Sequence, residues 1–76
     1  MLLQEVVRDL SLKYTDANIH DMLLFVNILD RFLDTITKEE LIQETNDTHL
    51  LEVVRLRECF GPEKMVSFIN DCFTLL

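Results

Sequence analysis

The sequence predicts an all-α fold, a compact bundle of about five short helices around a central apolar helix, Met22 to Leu33. Three observations carry this. Apolar residues recur at helical spacing, with no sustained period-two alternation. The single glycine and single proline stand side by side as Gly61-Pro62, so polar clusters suited to N-caps divide the other apolar segments. Finally, 49% hydrophobic residues accompany a formal net charge of -7, an apolar content that disordered acidic tails lack.

The first helix, near residues 2 to 13, turns Leu3, Val6, Val7 and Leu10 inward and leaves Glu5, Arg8 and Asp9 in water. Thr15 is placed to cap the second helix, with Tyr14 stapled onto Ile19. This second helix is the central strut and runs to about Thr35. At about 100° per residue, Met22, Phe25, Val26, Ile28, Leu29, Phe32 and Leu33 fill a broad arc, and Leu23 and Leu24 lie outside its middle beside Asn27 and Arg31. A helix so apolar around its circumference needs neighbours on more than one side.

Thr37-Lys38-Glu39-Glu40 opens the third helix as a capping box, and Ile36 with Leu41 supplies the accompanying staple. The helix is short, because the side chains of Thr45-Asn46-Asp47-Thr48 compete with helical hydrogen bonds. Asp47 or Thr48 then caps a fourth helix carrying Leu50, Leu51, Val53, Val54 and Leu56 and ending near Phe60. Gly61 stops it and Pro62 starts the fifth. There Met65, Val66, Phe68, Ile69, Cys72 and Phe73 repeat at helical spacing. With no repeat, low-complexity tract or linker, residues 1–76 read as a single helical domain.

The residue types exclude several function classes. Ser11, Ser67, Cys59 and Cys72 are the candidate nucleophiles, yet none sits on a glycine-bearing elbow or beside a histidine in sequence. One glycine is too few for a phosphate-cradling loop. His49 with Glu52, and Asp16 with His20, each supply half of a zinc site. The stretch after Asp30 is no EF-hand loop, because apolar Phe32 takes its third position. No catalytic, cofactor-binding or metal-ligating residue is assigned.

Cys59 and Cys72 lack ligand spacing and stand too far apart along the helices to pair, so both read as buried small hydrophobes in a reducing cytoplasm. The longest apolar runs fall below the roughly 18 residues of a membrane span. Gln4 and Glu5 follow the opening Met1 to Leu3 at once, so neither a signal peptide nor a membrane contact is expected.

Recognition of another protein is the reading that survives. Between Asp30 and Asp47 six acids, Asp30, Asp34, Glu39, Glu40, Glu44 and Asp47, face two bases, Arg31 and Lys38. The plainer account is a set of solvated faces that keep an apolar chain soluble. The sharper one is an acidic docking face for a basic partner protein, such as one that itself binds nucleic acid. The chain then acts as a small non-catalytic regulator or inhibitor that covers a partner's surface, an expectation drawn from fold alone.

The abundance of apolar side chains in a chain this short also predicts a homodimer. Its seam would use Phe68, Cys72 and Phe73, or the outward Leu23 and Leu24. The alternative function is a helix-turn-helix regulator that binds nucleic acid through the helices flanking Thr45 to Thr48, with Arg55 and Arg57 on the second. Fourteen acidic against seven basic residues speak against it.

Overall fold

Among the described residues four helices follow one another, α1 (Leu3–Lys13), α2 (Ile19–Asp30), α3 (Lys38–Asp47) and α4 (Leu51–Leu75). They belong to a computed structural model that describes residues 2–76; Met1 lies outside it. Among the described residues there is no strand, so the all-α bundle holds. The count is four because α4 contains both of the last two expected helices. Its two arms meet at Gly61, whose φ of 76° and ψ of 173° are not helical. Those angles belong to a region that is almost exclusive to glycine. Pro62 then opens the second arm, where its missing N–H is no loss.

Helix α1 buries Val6, Val7 and Leu10 as its periodicity demands. The start of α2 differs from expectation, because Asn18 and not Thr15 is the cap. Its Oδ1 accepts from the amides of His20 at 2.8 Å and Asp21 at 3.3 Å. The cause lies upstream, where Tyr14 is buried in the core and its carbonyl accepts from the Ala17 amide at 3.3 Å. This turn holds Thr15 in the connection.

The end of α2 differs too. The helix stops at Asp30, short of the expected Thr35, and residues 31–35 form turns. The Phe32 carbonyl closes them by accepting from the amides of Thr35 and Ile36, both at 3.0 Å, and from the Thr35 hydroxyl at 3.1 Å. Leaving the helical path takes Phe32 out of the buried arc. Met22, Phe25, Val26 and Leu29 are buried as expected, whereas Phe32 is 51% and Ile28 37% exposed.

Thr37 caps α3, its Oγ1 accepting from the Glu40 amide at 3.1 Å. The reciprocal arm of the box is modified, because the Glu40 carboxylate accepts from the Thr37 hydroxyl instead of from its backbone amide. At the far end Thr48 closes α3, its amide donating to the Glu44 carbonyl at 2.9 Å. Consequently neither Asp47 nor Thr48 is the N-cap of α4. That place falls to Leu50, which makes no side-chain cap bond. The Arg57 guanidinium donates to the carbonyls of Thr45 and Asn46. It thereby satisfies acceptors left open at a helix C-terminus and meets the negative end of the dipole.

Phe68 on the second arm of α4 is the hub of the core. Its ring centroid lies 5.3 Å from Tyr14, 5.4 Å from Phe25 and 5.3 Å from Phe60. Helix α4 packs against both α1 and α2, which also pack on each other, whereas α3 packs on α4 alone. Cys72 is fully buried as expected. Cys59 is exposed instead, with its thiol donating to the Asp16 carbonyl at 3.2 Å.

Candidate functional site

The packing order leaves an opening. No Cα of α3 comes within 8 Å of α2, so a groove of about 430 Å³ lies between them with the start of α4 as its floor. Ile28, Leu29 and Phe32 form one wall, and Leu41, Thr45 and the connecting residue Ile36 contribute to the other. Leu50 and Val53 lie below, and Phe25 reaches up from the core. Leu50 is 50% exposed, which adds to the apolar surface already presented by Phe32 and Ile28.

Two carboxylates complete the lining, Glu40 and Glu44 of α3. The other four acids of the predicted face, Asp30, Asp34, Glu39 and Asp47, are exposed but do not line the groove. Asp47 accepts from Gln43 Nε2 at 3.3 Å. Among the described residues none of the six is in an ion pair; the pairs are Lys13–Asp71, Arg55–Asp21 and Lys64–Asp16. Of the nearby cations, Lys38 donates to Asn70 Oδ1 at 2.9 Å and Arg57 to the end of α3, while Arg31 is exposed just after α2. Among the described residues no cation forms an ion pair with the acids of the α3 wall.

The predicted self-association residues fall in different places. Phe68 and Cys72 are fully buried within the core of one chain, which corrects their assignment to a seam. Desolvation, with a smaller contribution from the Asp71 charge, pushes the Cys72 thiol up to about 12. Phe73 and Leu23 are half-buried against the core, and Leu24 is half-buried as well.

A second polar cluster joins α1 to the end of α4. The Tyr14 hydroxyl donates to Asp71 at 2.7 Å and shares a hydrogen bond with Ser67 at 2.9 Å, while Lys13 donates to the same Asp71 oxygen at 2.9 Å. Burial raises the Tyr14 pKa, and the hydrogen bond to Asp71 raises that of Lys13. Of the candidate nucleophiles, Ser67 belongs to this clasp and the Ser11 hydroxyl donates to the Arg8 carbonyl at 2.7 Å.

Among the described residues no group of three His, Cys, Asp or Glu side chains is arranged to hold a metal. Among the described residues no helix is long and apolar enough to cross a membrane.

Sequence periodicity missed the groove, because it places Phe32 and Ile28 in the buried arc. The available signal was Asp30 and Asp34, which would stand one turn apart as like charges at the negative end of the helix dipole if α2 ran on to Thr35. No family model, curated protein or solved structure matches the chain.

Proposed function

We propose that the chain is a non-catalytic acidic interaction protein, a cytoplasmic regulator or inhibitor that receives part of a partner protein in the groove between α2 and α3. The observation that carries this is the convergence of half-exposed Phe32, Leu50 and Ile28 on one concavity. Covering apolar surface stabilises a complex by about 25 cal/mol per Å² before the costs of association. Glu40 and Glu44 add a field that draws in a basic partner and rejects acidic ones.

The same charges disfavour the helix-turn-helix alternative. Arg57 is spent on the carbonyls that close α3, and Arg55 stands 3.9 Å from the buried Asp21. A phosphate backbone would meet acids where it needs cations.

Homodimerisation stays within the proposal, on a different surface. Pairing two copies groove to groove would set Glu40 and Glu44 against their own duplicates. The α1–α2 face avoids this, with exposed Ile19 lining a hollow together with Val7 and Leu23. Sedimentation at micromolar concentration then shows a dimer that Ile19→Glu dissociates; a wild-type monomer contradicts it.

The functional reading is tested by affinity capture from the native host's lysate with the wild type and Phe32→Glu, at low and high salt. A partner held by the wild type and lost by a variant with unchanged circular dichroism is the expected result. Full retention by Phe32→Glu overturns groove docking.

A further inference from the structure

We propose that the occupant of the groove is an amphipathic α-helix of a basic partner, seated with apolar side chains over Phe32 and Leu50 and with Lys or Arg facing Glu40 and Glu44. The inference rests on the docking reading above and specifies its ligand.

The helical form follows from the walls. The residues that line the groove come from three helices and the turns beside them. Among the described residues there is no strand whose free edge an incoming extended segment could join. An extended peptide laid here would bury its own amides and carbonyls against Ile28, Leu41 and Val53 without partners, whereas a helix satisfies its backbone internally. Apolar anchors at i, i+3 or i+4, and i+7 form one stripe on such a helix, which suits an apolar opening walled by two helices.

The sign of the charge follows from the lining. Among the described residues Glu40 and Glu44 are its only charged groups, they stand one turn apart on α3, and neither is in an ion pair. Glu40 does accept a hydrogen bond from the Thr37 hydroxyl. An acceptor of that kind retains lone pairs for an ammonium or guanidinium group. Cations spaced one turn apart on the incoming helix would meet the two carboxylates in register. A second copy of this chain is the poorer occupant, because pairing groove to groove sets Glu40 and Glu44 against their own duplicates.

Three synthetic peptides with one common apolar stripe test this, bearing Lys at the flanking positions, Glu at those positions, or Lys with a proline in mid-helix. Binding is followed by amide chemical shifts of the full chain, with Phe32→Ser and Glu40→Gln/Glu44→Gln as variants. The helical Lys peptide should move the amides of Ile28, Phe32, Leu41 and Leu50 and bind about ten-fold more tightly than the Glu peptide. That preference should shrink in the Gln variant, and Phe32→Ser and the proline peptide should each bind weakly.

Equal affinity for the Lys and Glu peptides overturns the basic occupant, and equal affinity for the helical and proline peptides overturns the helical one. Unchanged binding to Phe32→Ser would show attraction by charge alone and also overturns the proposal. Groove amides that move with the protein's own concentration would make a second copy the occupant. If no peptide binds while Phe32→Glu still loses its captured partner, only the ligand assignment falls; if the capture also fails, the docking reading falls with it.

Discussion

The Tyr14 hydroxyl donates to the Asp71 carboxylate at 2.7 Å and ties the residue that closes α1 to the last arm of α4. The Tyr14 ring also packs 5.1 Å from Phe60 and 5.3 Å from Phe68, so one side chain serves both core and clasp. Tyr14→Phe keeps the ring and removes the hydroxyl. A hydrogen bond to a charged group contributes about 1.5–3 kcal/mol, so urea unfolding should show a loss near the lower end of that range. An unchanged midpoint would mean that water replaces the hydroxyl without cost.

The clasp also gives stability a pH dependence. Burial raises the Asp71 pKa, but the hydrogen bonds from Lys13 and Tyr14 and the Lys13 charge outweigh it and hold the carboxyl below its ordinary value. The contribution is complete above the unfolded carboxylate value of about 3.9 and is lost as pH falls through the depressed native value. Lys13 and Tyr14 shift upward, so their contributions hold below about 10 and are lost as pH rises through the raised values. Asp71→Asn should be less stable at neutral pH and lose less on acidification. Parallel acid slopes in the two proteins would exclude Asp71 as a source.

The two cysteines should separate cleanly toward a thiol reagent. Cys59 is exposed, whereas Cys72 is fully buried with its thiol pushed up to about 12. Because the thiolate is the reactive form, the native protein should release one equivalent of chromophore from a disulfide reagent and the second only in denaturant. Two native equivalents at similar rates would show that the last arm of α4 opens readily.

Phe25 and Phe32 provide a contrast within one segment. Phe25 is buried against Phe68, so Phe25→Ala should cost about 3–5 kcal/mol. Phe32 is half-exposed on the groove wall, so Phe32→Ala should cost well under half of that while weakening partner capture. Equal costs for the two would return Phe32 to the core and close the groove.

This pair also marks where sequence reading stops. The start of α3 was legible because Thr37 and Glu40 lie three residues apart and their signal is local. The corner at Gly61-Pro62 was legible for the same reason. The end of α2 was not, because the apolar period continues through Phe32 and Leu33 while the backbone leaves it to bond onto the Phe32 carbonyl. The groove depends on α3 choosing α4 over α2, a tertiary relation that no local pattern encodes. Six acids were legible as an acidic stretch, but only the fold selects Glu40 and Glu44 from among them.

The claim that the acid-walled groove is where a partner docks is tested most directly by association rates. The captured partner is measured against the wild type and Glu40→Lys/Glu44→Lys across a salt series. Thr37 still accepts from the backbone amide at position 40, but Glu40→Lys removes the Thr37–Glu40 side-chain bond and sets a cation against the dipole in the first turn of α3, so a loss of about 1 kcal/mol is expected. The predicted result is a folded variant whose association rate falls and whose salt dependence flattens. An unchanged rate and salt slope would contradict the claim.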